Sequence, residues 1–377
     1  MQSFDVAIVG LGAMGSAAAW HLSERGLSVL GIDRHTPPHH FGSSHGHARI
    51  IREAYFEHPL YVPLVQRAYA LWDTLAASGG TDLLMRTGGM MVGPQNGLLV
   101  SGAMRSAELH GLPCALWTAA EVRERVPALS PRDDMVGLWE PRAGVLFPER
   151  CIGTMLRAAA ARGAELLYQT TVTGWDADQG GVTVATSAHD YRAARLVLAG
   201  GPWMPELLPT LLLPLTIERA VQHWFRPSPD DGLSGPDRLP IFMIEYARDR
   251  LLYGLPDTGR GVKIATHHEG ERTTADTVRR RVDEAEQLDM QALVQQWLPR
   301  VAGPLTESTV CMYTNTPDRD FIVDYHPVHR RAILASPCSG HGFKFASAIG
   351  EILADLVMER TPAFDLSPFR AARFAPS

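Results

Sequence analysis

The chain is poor in cysteine, has no long apolar run and carries no excess of positive charge. Its four cysteines, Cys114, Cys151, Cys311 and Cys338, are scattered over 377 residues. That scatter suggests neither a disulfide framework nor the close Cys/His spacing of a zinc site. No apolar stretch approaches the roughly 20 residues of a membrane span, so no membrane partner is expected. A basic leader is missing too, because a strand-like pattern begins by residue 4, which argues against a secretory signal. The formal net charge of −6 argues against nucleic acid or an anionic membrane surface as the main partner. Repeats and low-complexity tracts are absent. The remaining composition, 45% hydrophobic and 20% charged, is that of a globular protein, expected in the cytoplasm. At this length more than one core is expected.

What is present is concentrated first at the N-terminus. Phe4-Asp5-Val6-Ala7-Ile8-Val9 reads as a buried parallel strand. Gly10-Leu11-Gly12-Ala13-Met14-Gly15 follows, then helical spacing up to Gly26, then a second strand ending at Asp33. In that context Gly10 permits a tight turn, Gly12 lets the backbone approach a pyrophosphate, and Gly15 lets helix and strand pack closely. The phosphates would sit at the helix N-terminus, where free N–H groups and the dipole favour negative charge. Asp33 can accept hydrogen bonds from a ribose and disfavours a 2′-phosphate. NADP is therefore the least suited ligand, and FAD and NAD both stay open.

Residues 37–49 form a turn-rich loop holding His39, His40, His45 and His47. No carboxylate or cysteine joins them at ligand spacing, so no metal is expected. The loop should instead pass over the cofactor. Arg49 and Arg52 read as one helical turn apart on one face, a spacing suited to an anion or equally to a plain surface pair. Helices are expected over 61–75, 103–110, 119–125 and 149–162, with a strand-like piece over 84–92. Strand periodicity returns from Val172, and the run 195–203 ends in paired glycines where Gly200 should approach the cofactor. Pieces such as 241–245 and 251–255 suggest a mixed antiparallel sheet. Lys263, inside an apolar strand, faces solvent by default, and 276–298 reads as a charged, solvated helical stretch. The expected fold class is α/β: a discontinuous Rossmann-type domain over 1–85, 145–215 and 320–377, interleaved with a substrate domain over 86–144 and 216–319.

Two motifs near the C-terminus are more specific. One is Cys311-Met312-Tyr313-Thr314-Asn315-Thr316-Pro317-Asp318; the other is Ser339-Gly340-His341-Gly342-Phe343-Lys344-Phe345-Ala346, opening a helix. With the glycine-rich turn, His45-Gly46, Arg49-Ile50-Ile51-Arg52 and Asp365-Leu366-Ser367-Pro368-Phe369-Arg370, they cover essentially the whole chain. This pattern resembles the monomeric sarcosine oxidase and N-methyltryptophan oxidase family, flavoenzymes of the glutathione-reductase-like FAD fold.

The resemblance implies FAD attached covalently through the Cys311 sulfur to the flavin 8α-methyl. It implies that Arg52 and Lys344 grip the substrate carboxylate, neither having an obvious acidic neighbour in the sequence. Arg49 would stack on the flavin, with His45 in the flavin site. Lys263 would stand near flavin N5 and promote the reaction with dioxygen, which replaces its solvent-facing default. Tyr253, His267 and Tyr313 match substrate-pocket positions, with Met243 beside them. Gly340 to Gly342 would stabilise negative charge on the reduced flavin. The chain departs from the family at His47-Ala48, where Asp-Thr is common, and around Thr258, where the loop is a residue shorter. The implied activity is oxidation of a secondary amino acid, N-methyl or cyclic, by FAD and dioxygen in a monomer, giving an imine and hydrogen peroxide. An FAD dehydrogenase serving another electron carrier, an NAD-dependent dehydrogenase and a non-catalytic flavin-binding protein are the alternatives.

Overall fold

The computed structural model describes residues 3–227, 232–301 and 303–374. The apolar run Ser3–Val9 is an inner strand of an eight-stranded sheet, parallel to Val29–Ile32 on one side and Asp190–Leu198 on the other. Ala332–Ser336 adds parallel to the end of Asp190–Leu198, so one sheet joins strands from both ends of the chain. Such strands are apolar throughout because both faces are covered. Helices Ala13–Glu24, Tyr61–Gly79, Pro148–Ala161 and Ala346–Val357 contribute the core on one face. Phe4, Ala7 and Val9 point into a second core on the other. Ala17, Ala18 and Ala19 are fully buried, and small residues are what let Ala13–Glu24 sit so close to its neighbours. A Cβ on Gly350 would stand 2.6 Å from Ala17.

The second sheet has nine strands and is also assembled from distant segments. Gly89–Gly93 runs parallel to Ile241–Ala247, which continues antiparallel through Arg250–Leu255, Val262–His267 and Thr216–Phe225. Leu305–Asn315 pairs along nearly the whole of Thr216–Phe225, setting Cys311 opposite Ala220. A small three-stranded sheet, Arg49–Ile51, Gly144–Leu146 and Leu84–Arg86, accompanies the two large ones.

Three local expectations are corrected. Arg49 lies in a strand, so Arg49 and Arg52 are not one helical turn apart. The piece 84–92 breaks into Leu84–Arg86 and Gly89–Gly93 at Gly88, whose φ is +70°. A Cβ there would lie 2.0 Å from the Trp139 ring, which makes the break glycine-specific. The helix in 276–298 covers only Glu284–Trp297, started by an Asp283/Glu286 capping box. Val294 and Trp297 bury one side of it, while Arg279 holds the preceding segment through Asp283 and Glu286.

Candidate active site

A cavity of ≈ 760 Å³ runs from the glycine-rich turn to a cluster around Arg52, Tyr253 and Lys344. At its first end each glycine has a distinct reason. Gly10 has φ +91°, and a Cβ there would lie 2.5 Å from the Ala199 carbonyl; one on Gly15 would lie 1.7 Å from the Gly10 carbonyl. These two serve the turn and the helix packing. Gly12 differs, because its Cβ would meet only Ser44 Oγ, at 3.7 Å, so its bareness faces the cavity. The helix Ala13–Glu24 begins with no side-chain cap and no acid in its first turn, which leaves its N-terminus open to an anion.

Asp33 closes the second strand as expected and accepts from the backbone N–H groups of Leu11 and His35, each at 2.8 Å. It also lines the cavity, as do Val172 and Gly200. A Cβ on Gly200 would stand 2.5 Å from a terminal methyl of Leu207, which would have to move aside. Buried polar atoms test whether a cofactor fits here. Among the described residues Ser43 Oγ and Gln222 Oε1 are buried without a protein partner, and both residues line the cavity. Uncapped amides at one end and orphaned hydrogen-bonding atoms further along suit a long, polar, phosphate-bearing cofactor.

At the other end, two cations from opposite ends of the chain converge. Arg52 follows the strand Arg49–Ile51, and Lys344 sits in the tight turn Phe343–Phe345 ahead of the last long helix. Arg52 donates to the Ala54 carbonyl at 2.9 Å and to Glu57 Oε2 at 2.6 Å, with its guanidinium 4.3 Å from the Tyr55 ring centre. Lys344 Nζ donates to the His341 carbonyl at 2.7 Å and to the Tyr55 hydroxyl at 3.3 Å. The expectation that neither cation has an acidic partner is therefore wrong for Arg52. Burial by itself would raise Glu57, but Arg52 overrides it and holds that carboxyl below its usual range. Lys344 makes no hydrogen bond to an acid among the described residues: burial, reinforced by Arg52 and opposed by Glu57, brings it down to about 7.

The wall beside the clamp is aromatic. Tyr253, Tyr313, His267 and Met243 line the cavity. His267 Nδ1 and the Tyr313 hydroxyl are 3.3 Å apart, and burial raises both tyrosines above the usual phenol range. Burial, then the nearby His268, pushes His267 well below the usual imidazole range, so its ring is neutral. Gly340, at φ +76°, is required here because a Cβ would lie 2.9 Å from both His267 and Tyr313. Gly342 serves the turn instead, its Cβ falling 1.7 Å from the Pro337 carbonyl.

Behind the lining lies a second layer. Lys263 is 2% exposed, which corrects its solvent-facing default, and it donates to the carbonyls of Gly46 at 2.7 Å and Ala48 at 2.8 Å. Arg49, which itself lines the cavity, donates to the carbonyls of Ala48 and Ser43, and its Nη2 lies 3.6 Å from Cys311 Sγ. Cys311 is buried, its thiol 3.4 Å from the Ser43 carbonyl. His45 is buried with Nε2 unpaired, and burial lowers it to about 3. Gly46 and His47 donate their N–H groups to Glu149 Oε1. The unusual His47-Ala48 pair thus takes part through its backbone. Sequence reasoning missed Glu57, Gln222 and Glu149, none of which lies in a glycine or cysteine motif. Lys263 and Lys344 are also the only lysines in the chain.

The model of the family described as "FAD dependent oxidoreductase" matches residues 5–356. A monomeric sarcosine oxidase of Streptomyces avermitilis is 40% identical over 99% of this chain and 98% of its own length. An N-methyl-L-tryptophan oxidase of Yersinia pestis is 36% identical over 99% of this chain and all of its own. Among solved structures, the open form of NikD, an amino acid oxidase of nikkomycin biosynthesis, superposes with a TM-score of 0.87 at 24% identity, covering 98% of both chains. Glycine oxidase from Geobacillus kaustophilus gives 0.83 at 22% identity over the full length of both; these two likenesses speak for the fold. The chain belongs to the FAD-dependent oxidoreductase family and, within it, to the flavin amine oxidase branch that holds monomeric sarcosine oxidase and N-methyltryptophan oxidase.

Proposed function

We propose that this protein oxidises a secondary amino acid, N-methylated or cyclic, with FAD as cofactor and dioxygen as electron acceptor. The observation that carries the reading is one cavity with an anion-ready glycine cradle at one end and a two-cation clamp at the other. The cradle suits the FAD pyrophosphate, with Gly10, Gly12 and Gly15 shaping it and Asp33 placed for a ribose. Val172, Gly200, His45, Arg49, Gly340 and Gly342 would hold the remainder, and Cys311 would attach the flavin covalently. When bound, FAD takes a hydride equivalent from the carbon next to the substrate nitrogen and passes the electrons on to dioxygen, which leaves as hydrogen peroxide.

The chain's own residues bind, orient and shield. Arg52 and Lys344 meet the substrate carboxylate, and Glu57 must loosen its hold on Arg52 for that contact to form. A guanidinium matches a carboxylate bidentately, whereas the ammonium acts as a point charge. Tyr253, Tyr313, His267 and Met243 close the space where the amine substituent lies, with a neutral imidazole among them. Burial, then Arg49, holds Lys263 well below the usual lysine range; it gives two hydrogens to carbonyls, and with a proton bound it directs a third at negative charge growing on dioxygen. An N-methyl substrate yields formaldehyde and a primary amino acid once the imine hydrolyses.

The test is a peroxide assay on the purified yellow protein against sarcosine, N-methyltryptophan, other N-methyl amino acids, proline and pipecolate. Peroxide with one of them is the expected result. Flavin bleaching by a substrate with no peroxide, but with reduction of an artificial dye, would assign the chain to the carrier-linked dehydrogenases instead.

A further inference from the structure

Lys344 stands in a hydrogen-bond arrangement with a definite count. Its Nζ has two acceptors, the His341 carbonyl at 2.7 Å and the Tyr55 hydroxyl at 3.3 Å. The Tyr55 oxygen and His341 Nδ1 are 2.6 Å apart, and His341 Nε2 lies 3.1 Å from the Arg319 carbonyl. A carbonyl only accepts, so His341 Nε2 carries the ring proton and Nδ1 accepts from Tyr55. Tyr55 then spends its proton on His341 and can only accept from Lys344. The chain is satisfied with two N–H bonds from Nζ. A third position on that nitrogen is left toward the cavity that Lys344 lines.

The charges around this nitrogen point the same way. Arg52 faces it across the Tyr55 ring, the guanidinium 4.3 Å and Nζ 5.2 Å from the ring centre. Glu57, the acid of the cluster, is committed to Arg52 at 2.6 Å. His341 and His267 are held neutral by burial, and burial likewise raises Tyr55, Tyr253 and Tyr313, so their phenols keep their protons. Glu57 also attracts Lys344, but its carboxylate is hydrogen-bonded to Arg52, so two cations share one anion until a second anion arrives.

We propose that Lys344 waits as the free amine and takes up the proton that the substrate's ammonium sheds on binding. A secondary amino acid reaches the site as a zwitterion, and its nitrogen must lose a proton before the neighbouring carbon can give up hydride. In the transfer one N–H bond of the substrate ammonium breaks and one N–H bond forms at Nζ, with no change of oxidation state. The products are a free-base amine and a lysine ammonium facing the substrate carboxylate. Arginine keeps its proton, His341 has both ring nitrogens engaged, by Tyr55 and the Arg319 carbonyl, and His267 has Nδ1 against Tyr313 and is held well below the imidazole range by burial. Of the chain's two lysines, Lys344 is the one that lines the cavity.

This inference rests on the carboxylate clamp proposed above, and calorimetry separates the two. The flavin-loaded protein is titrated anaerobically at about pH 8.5 with propionate and with glycine, in buffers of different ionisation enthalpy. Propionate brings a carboxylate and no proton, so its binding should draw about one proton from the buffer, falling toward zero by about pH 6 as Lys344 becomes protonated beforehand. Glycine carries its own proton and should bind with almost no exchange. In Lys344→Arg, propionate should bind with no uptake. Propionate binding to the unaltered protein without uptake, or equal uptake with both ligands, overturns the proton transfer while leaving the clamp intact. Failure of both ligands to bind overturns the clamp itself, and the transfer with it.

Discussion

At the scale of single residues, the side chains of this site are defined by what their neighbours leave unsatisfied. The Cys311 thiol is buried beside Arg49 and the Ser43 carbonyl. If it holds the flavin, Cys311→Ala should release all yellow colour to the supernatant on acid precipitation, while the unaltered protein keeps its colour in the pellet. Colour retained in the variant pellet would put the link elsewhere. Lys263 is satisfied by two backbone carbonyls and faces the loop that carries Arg49. Lys263→Met should slow reoxidation of reduced flavin by about 100-fold, the loss that follows removal of one preorganised donor, while anaerobic reduction by substrate changes far less. Equal slowing of both half-reactions, read by stopped-flow absorbance, would remove Lys263 from the oxygen step.

Among the elements, the segment that presents Arg52 is held from below by a buried acid. Glu140, at the end of the strand Val136–Glu140, accepts from the N–H groups of Glu53 at 2.6 Å and Ala54 at 3.0 Å. Both amides follow directly on Arg52, so this one carboxylate sets the backbone from which the guanidinium projects. Glu140→Ala leaves those amides without an acceptor, at a cost of about 1–3 kcal/mol each where water cannot enter. The variant should unfold at lower urea. Its retained flavin should still be reduced, but with KM for the amino acid raised about 10-fold or more, the shift that some 1.4 kcal/mol produces. An unchanged KM would mean that Arg52 is placed by its own contacts with Ala54 and Glu57.

At the scale of the whole molecule, burial of neutral imidazoles makes the fold sensitive to acid. His21, His223 and His341 are lowered to about 4 and His45 to about 3, in each case first by desolvation. A group whose folded value lies below its unfolded one contributes stability that is complete above about pH 6.5 and is lost as pH falls toward the folded value. Each is worth roughly 3 kcal/mol over that interval, and together they rival the whole stability of an ordinary domain. Glu140 acts in the opposite sense: burial raises it to about 7, so its contribution weakens as pH climbs from about 4.5 to 7. The histidines outnumber it. Urea midpoints should fall steeply between about pH 6.5 and 4, and a flat profile there would show that these rings are hydrated.

How much of this could be read beforehand depends on the range of the interaction. The strand, glycine turn, helix and acid of residues 4–33 are local patterns; the role of Gly15 follows from the nearby Gly10 carbonyl, whereas that of Gly10 depends also on the distant Ala199 carbonyl. The C-terminal motifs were legible in the same way, through residue types in a fixed order. By itself the sequence determined the nucleotide sheet, its cradle and the family. Only the tertiary structure decided that Arg49 lies in a strand, that Lys263 is held by the carbonyls of Gly46 and Ala48, that Glu57 pairs with Arg52 and that Lys344 is hydrogen-bonded to the His341 carbonyl and Tyr55. The physical reason is that each of these depends on desolvation and on partners brought close by the two composite sheets. Lys344 and Tyr55 are 289 residues apart along the chain yet share one hydrogen bond. No local pattern encodes which way a side chain turns when its neighbours come from the other end of the chain.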